Sequence, residues 1–360
     1  MTLIKVKSRG TDNVSGRRNL IINGAMQIRQ RHSGSYSQIN SKYSFDRFRG
    51  NSYDGGAATG KFTVQQSTTA PDDFAYSLLV TSSAATSDAS NNIFNIEQLI
   101  EGYNTNQLNY GSSSAKTITL SFYVRSSLTG TFGGALKNNA RNRNYPFTYT
   151  ISSANTFERK EITIAGDTTG TWDQNTNGVG LWVSFGLGVG SNYSGSAGAW
   201  AAGDKFSATG ATSVVGTNGA TWYITGVQLE VGDSASDFEH RSFGEEFALC
   251  QRYYVNHGLG SNADAVVSPG RDAQYGHIRG TQVQFPVAMR ANPTVVIQSS
   301  AANSMDRYGR GQETCYPQAE GITTFGFGVI RSRNSNGSDR TWTDNGFYIN
   351  RAGYEAEAEL

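Results

Sequence analysis

Six aromatic side chains set among asparagine, serine and glycine carry the most distinctive chemistry in this 360-residue sequence: Tyr103, Tyr110, Tyr145, Trp172, Tyr193 and Trp200. A flat ring can stack on the C–H face of a sugar while nearby amides and hydroxyls bond its hydroxyl groups, so these six are the candidate carbohydrate-binding residues. Trp182 and Trp222 lie in apolar stretches and read as core. Reactive constellations are harder to find. His32, His240, His257 and His277 have no Cys, Asp or Glu at a zinc-site spacing, and the sequence contains no HExxH pattern, GxSxG elbow, phosphate-binding glycine loop or dinucleotide fingerprint. No catalytic residue, metal ligand or cofactor is therefore assigned.

Acidic residues leave one alternative open. The paired carboxylates of a glycoside hydrolase stand roughly 5–10 Å apart in space, a relation that sequence spacing does not encode. Among 29 acids, the clusters Asp72-Asp73, Asp233 with Asp237, and Glu245-Glu246 read as turn acceptors in the first two cases and as helix N-terminal charges in the third. A polysaccharide depolymerase is thus the enzymatic alternative, and a calcium ion held by the Asp233–Asp237 loop with backbone oxygens is a second possibility.

The elements that position these residues are strands. Forty-two glycines against six prolines, 18 Tyr, 18 Phe and 16% charged residues describe a turn-rich β protein and exclude a coiled coil, a collagen-like rod and a disordered linker. The sharpest alternation is in 116–127, where Ile118, Leu120, Phe122 and Val124 fall on one face and Thr117, Thr119, Ser121, Tyr123 and Arg125 on the other. Similar short stretches recur at 44–50, 61–66, 76–83, 93–102, 147–153, 157–166, 180–190 and 221–232, and Asn23-Gly24 within 19–31 has the chemistry of a hairpin turn. Many short strands without a long amphipathic helix predict a two-sheet sandwich, most simply a jelly roll.

Ser242-Phe-Gly-Glu245 has the capping-box pattern and opens a short connector helix, after which a second strand-rich block runs to residue 360. The expected fold class is all-β: an N-terminal extended arm, a jelly-roll β sandwich, a short connector helix and a smaller C-terminal β domain. The corresponding divisions are 1–42, a basic attachment arm with hairpin; 43–244, the carbohydrate-binding-like jelly roll; and 245–360, the C-terminal β-rich domain.

A net charge of +1 conceals an asymmetry. Residues 1–50 hold ten Lys or Arg against Asp12 and Asp46, a local balance of +8, so the other 310 residues carry −7. Such a head can dock on an acidic protein surface, remain a solvated arm or contact nucleic acid, and only the electrostatic term argues for the last. Cys250 and Cys315 share no metal-ligand spacing and read as free thiols. No apolar run approaches the roughly 20 residues of a spanning helix, and MTLIKVKSRG lacks a signal-peptide core, so neither membrane insertion nor secretion is expected.

Three passages together resemble one family. NLIINGAMQIRQR (19–31) with Tyr43-Ser-Phe-Asp46-Arg47-Phe48, then WYITGVQLEVGDSASDFEHRSFGEEFALCQRYY (222–254), and finally MRANPTVVI (289–297) with the terminal YEAEAEL are similar to tail-fibre and related minor virion proteins of tailed bacteriophages, including phages of marine bacteria. The resemblance covers about residues 19–360. It implies a jelly roll similar to carbohydrate-binding modules, a helix-bearing junction and a smaller C-terminal β domain. It also implies a virion structural protein, made in the host cytoplasm and placed in the tail, that binds host-surface glycan as a homotrimer. The basic residues Lys5, Lys7, Arg9, Arg17 and Arg18 would dock on another virion protein. The middle passage has a structural explanation of its own: Val227, Leu229 and Val231 close a strand, 233–237 turn the chain, and Phe238 and Phe243 staple its exit. No shaft-forming repeat is visible, so a short fibre, a fibre tip, or an architectural adaptor or capsid decoration fits the sequence too.

Overall fold

Alternation in 116–127 becomes a strand with Ile118, Leu120, Phe122 and Val124 fully buried. The computed structural model describes residues 18–32, 34–37, 40–55, 60–87, 89–257, 282–298, 305–307, 311–313, 316–333, 348–350 and 353–360. The chain divides into two compact units. The first takes 1–27, 35–42 and 50–240; the second takes 28–34, 43–49 and 241–360. Residues 1–42 therefore contribute to both.

In chain order the strands up to residue 240 are β1 (Asn40–Phe45), β2 (Phe48–Asp54), β3 (Phe62–Ser67), β4 (Ser77–Ser82), β5 (Asn92–Glu101), β6 (Ile118–Ser126), β7 (Gly130–Lys137), β8 (Arg143–Ile151), β9 (Glu158–Ile164), β10 (Val179–Val189), β11 (Ser194–Gly195), β12 (Ala201–Ala202), β13 (Ser207–Ala208) and β14 (Thr221–Val231). A seven-stranded sheet has the order β1-β2-β5-β10-β7-β8-β12, and a five-stranded sheet the order β3-β4-β14-β6-β9. Between β2 and β14 the chain passes from one sheet to the other at β2–β3, β4–β5, β5–β6, β6–β7, β8–β9 and β9–β10, and the pairings along β5-β10-β7-β8-β12 and along the five-stranded sheet are antiparallel. This repeated crossing makes the sandwich a jelly roll.

Aromatic rings fill the space between the sheets. Phe122 of β6 meets Tyr149 of β8 at 5.1 Å and Phe185 of β10 at 5.2 Å, while Trp222 of β14 donates its indole N–H to the Tyr149 hydroxyl at 3.2 Å. Edge-to-face pairs of this kind add to the area they bury, so the two sheets are joined by packing.

The first unit also holds a short helix, α1 (Gly102–Thr105); in the second unit α2 spans Phe243–Gln251 and is capped by Ser242, whose hydroxyl accepts from the Glu245 backbone N–H at 3.3 Å. Phe243 is 62% exposed and stacks on Phe247 at 5.9 Å. Cys250 is a buried free thiol, and burial pushes its pKa up; Cys315 lies outside the described residues. The strand Gly353–Glu357 is the centre of a three-stranded sheet, flanked by Tyr254–His257 and Thr294–Gln298. The terminal YEAEAEL thus alternates, with Tyr354, Ala356 and Ala358 in a core shared with Val255, Phe285, Met289 and Phe327.

Two sequence expectations need correction. The hairpin over 19–31 does not form: Asn23 turns the chain with φ 60°, but no strand flanks it. Side chains replace the ladder there, since the Gln98 side chain accepts from Ile22 N–H at 2.8 Å and donates to Ile22 C=O at 2.9 Å, and Asn19 Oδ1 accepts from Ile21 N–H. Similarly, 44–50 is not one strand but the turn and inner ends of β1 and β2, with Arg47 at φ 67°.

Candidate functional site

Four of the six candidate aromatics meet. Tyr145 stands on β8; Trp200 immediately precedes β12, which pairs with β8 at Asn144 and Arg143; Trp172 lies on the loop between β9 and β10; Tyr110 follows a single turn of 3-10 helix, Asn106–Leu108. Tyr110 is 4.9 Å from Trp172 and 5.6 Å from Trp200, the two indoles are 5.3 Å apart at 86°, and Tyr145 meets Trp200 at 5.4 Å. All four contacts are edge-to-face or nearly so.

The loops are held so that the rings keep these angles. The Gln174 amide accepts from Tyr110 N–H at 3.0 Å and donates to Tyr110 C=O at 2.8 Å, tying the two loops together. Gly111, at φ +80°, approaches so closely that a Cβ would stand 2.7 Å from the Gly170 carbonyl oxygen; another residue there would force the loops apart. Trp172 Nε1–H donates to Thr169 C=O at 3.1 Å and Trp200 Nε1–H to Ala165 C=O at 2.7 Å. Both indole N–H groups are thus bonded to the backbone, and what each half-buried tryptophan offers solvent is ring surface.

Arg143 and Asp167 brace the same loop. Arg143 Nε donates to Asp167 Oδ2 at 2.8 Å and Nη2 to Oδ1 at 2.7 Å, and Thr169 adds its N–H and hydroxyl to Oδ1. Burial alone would push the Asp167 pKa up, but the Arg143 and Thr169 bonds outweigh it and hold the carboxyl below its ordinary value. The resulting stabilisation is complete above the ordinary aspartate pKa of about 3.9 and disappears as pH falls through the lowered value. Asp167→Asn is expected to cost roughly 1–2 kcal/mol at neutral pH, the Arg143 charge being partly solvated. Urea midpoints of wild type and variant should converge on acidification.

Tyr110 is the floor. It is 4% exposed, its hydroxyl has no hydrogen-bond partner among the described residues, and burial pushes its pKa up. Burial likewise raises the pKa of half-buried Tyr145. Perpendicular indoles over a fixed phenol form a corner: a pyranose laid flat on one tryptophan presents its edge to the other. A neutral sugar suits such a corner because the stacking surface is apolar C–H and no unpaired charge has to be desolvated.

The other two candidates make no ring contact with this group, although the Tyr103 backbone N–H donates to Thr176 C=O of the Trp172 loop at 2.9 Å. Tyr103, on α1, is 60% exposed, and Tyr193 packs edge-on against Phe206 at 5.9 Å. Trp182 and Trp222 are buried, as the sequence suggests. Lys5, Lys7, Arg9 and Arg17 lie outside the described residues. Arg18 is engaged within the first unit, 3.4 Å from Glu230 Oε2 and donating to Asp237 C=O at 2.7 Å. Among the described residues no three His, Cys, Asp or Glu side chains converge as a metal site, the Asp233–Asp237 loop included.

The outer face of the seven-stranded sheet is covered near its centre by the chain itself. Ser184 Oγ of β10 donates to Phe206 C=O, and Lys137 of β7 reaches Asp204 Oδ1 at 3.0 Å with its ammonium 3.2 Å from the Phe206 ring centroid and 4.4 Å from that of Trp182. Burial lowers the Lys137 pKa to about 8 against the opposing pull of Glu97 and Asp204. This buried cation clamps the 204–206 segment to the sheet.

No protein-family model matches the sequence, and no curated protein matches it. Solved structures do share likeness of fold. The enzymatically active domain of tailspike protein 4 of bacteriophage CBA120 is 13% identical over 59% of this chain, with a TM-score of 0.33, and the match takes in only 21% of that chain. A putative sugar-binding protein from Bacteroides thetaiotaomicron is 12% identical over 60% of this chain and 100% of its own, at a TM-score of 0.35. A family 4 carbohydrate-binding module is 14% identical over 58% and 98%, at 0.30.

Proposed function

We propose that this protein is a virion component of a tailed bacteriophage, a tail fibre or fibre tip, that attaches to host-surface polysaccharide through the corner formed by Tyr110, Tyr145, Trp172 and Trp200. The observation that carries the glycan reading is the convergence of these four rings from four separate segments, with both indole N–H groups already bonded and the ring surfaces left as the contact. The virion assignment rests on the three passages that resemble tail-fibre proteins. The same resemblance supports a homotrimer in the tail and a basic N-terminal segment that docks on another virion protein.

The proposed action is binding without cleavage. Asp167, the carboxylate that braces the corner, is held by Arg143 with a lowered pKa, the reverse of what a general acid for glycoside hydrolysis requires. A hydrolase assay on bound polysaccharide tests this directly, since release of reducing ends would replace the attachment reading with the depolymerase.

Trp172→Ala and Trp200→Ala should each weaken glycan binding about tenfold, the equivalent of roughly 1.4 kcal/mol of lost stacking. Tyr103→Ala should leave it unchanged. Affinity measured by titration calorimetry with the bound polysaccharide checks both; equal losses at all three positions would remove the corner from the account.

A further inference from the structure

On the outer face of the five-stranded sheet, away from the sandwich core, four rings line a hollow of about 430 Å³. Phe74 lies 5.4 Å from Tyr123 of β6, 5.1 Å from Phe238 and 5.3 Å from His240, and Phe238 and His240 are 4.9 Å apart. Asp73 and Asp237 complete the lining, together with Arg159 of β9 and Gly226 of β14. Every one of these residues belongs to the first unit.

The backbone is shaped to seat the rings here. Gly226 stands at φ +60° where the β14–β6 register shifts between Thr225 and Gln228, and a Cβ at that position would fall 2.7 Å from the Phe74 ring. A bulge in mid-strand thus makes room for Phe74, and only glycine meets both demands.

Charge supplies the second observation. Arg159 is already committed, to Glu161 and to the Ser236 carbonyl at 2.9 Å. Neither the Asp73 nor the Asp237 carboxylate has a hydrogen bond or ion pair among the described residues. Two carboxylates without a hydrogen bond or ion pair, set against one guanidinium already paired with Glu161, lie beside four aromatic rings and favour a cation, because the ring quadrupole and the carboxylates attract it together.

We propose that this hollow is a binding site for an organic cation, an ammonium or guanidinium group. It is independent of the aromatic corner and uses none of its residues. Two sources of the same chemistry are at hand: a basic group on an outside ligand, or one of Lys5, Lys7, Arg9 and Arg17 of the chain itself, since Arg18 is bonded to the Asp237 carbonyl at the same rim.

Ring-proton NMR on the full chain tests the site with Nα-acetyl-lysine methylamide as probe and its norleucine counterpart as the neutral control. The lysine probe should shift the Tyr123 and Phe238 ring signals saturably and the norleucine probe should not. Asp73→Asn with Asp237→Asn, both at exposed positions, should weaken the lysine probe about tenfold. A full chain carrying Lys5→Gln, Lys7→Gln, Arg9→Gln and Arg17→Gln separates the sources: tighter binding of the probe there means the chain's own basic residues compete for the hollow, and unchanged binding means the cation comes from outside. Equal shifts from both probes, full affinity in the doubly substituted protein, or no saturable shift in either the wild-type or the glutamine-substituted chain would overturn the proposal.

Discussion

Glu359→Gln is expected to destabilise the second unit by about 3–5 kcal/mol, the loss typical when one partner of a buried ion pair is removed. The Glu359 carboxylate holds two guanidinium groups, accepting from Arg31 Nη2 at 2.9 Å through Oε1 and from Arg47 Nη1 through Oε2. Both arginine side chains are buried, 7% and 1% exposed, and each lies against a tyrosine ring, Arg31 over Tyr254 at 3.8 Å and Arg47 over Tyr253 at 3.5 Å. Burial works to lower the Arg47 pKa, but Glu359 reverses the effect, so the charge persists and needs its counterion. Glutamine has the same shape and no charge. Glu357→Gln is the control: that carboxylate is 49% exposed and 3.3 Å from Arg31, so its loss should cost under about 1 kcal/mol. Urea midpoints of the two variants should separate widely; similar midpoints would mean that the arginines find other partners.

Trp222→Ala should cost the sandwich about 3–5 kcal/mol through lost transfer energy and the cavity left behind. Trp222 has no solvent exposure, lies 6.0 Å from Phe185, and donates the hydrogen bond that the buried Tyr149 hydroxyl receives. Alanine removes the ring and leaves that hydroxyl unpaired; Trp222→Phe keeps most of the volume, should lose only part of the energy, and so separates the two contributions. Half-buried Trp172 and Trp200 should be much less costly to remove from the fold than from binding. Thermal denaturation of all four variants provides that contrast, and a Trp222→Ala protein as stable as wild type would show that the inter-sheet rings are not the core.

Legibility followed locality. Strands with one buried face, such as β6, could be read from period two, and the capped α2 from Ser242 and Glu245, because each pattern is complete within a few residues. β7 carries no such pattern, because Gly133 and Gly134 interrupt its alternation where side chains would show it. The recruitment of 28–34 and 43–49 to the unit built on 241–360 depends on partners such as Arg31 and Glu359, 328 residues apart, and leaves no period in the sequence.

The site followed the same rule. Aromatic rings among amides and glycines could be chosen from composition, and four of them converge, whereas Tyr103 and Tyr193 have similar neighbours in sequence and make no ring contact with the four. Arg143, Asp167 and Gln174, which fix the loops, had no visible signal because Asp167 in AGDTTG resembles an ordinary turn acceptor. The hollow under Phe74 was hidden for a further reason: Phe74, Tyr123 and Phe238 come from three distant segments, and Gly226 looks like any strand glycine until its φ is known.

The central claim is that the aromatic corner recognises a polysaccharide. Its most direct test is an array of bacterial lipopolysaccharides and capsular polysaccharides probed with the purified protein in its native assembly, beside the Trp172→Ala, Trp200→Ala double variant shown to melt at the same temperature. The account predicts saturable binding of the wild type to at least one surface glycan, no release of reducing ends, and loss of that binding in the double variant. Undiminished binding by the double variant, or silence of the wild type on glycans of the true host, would contradict it.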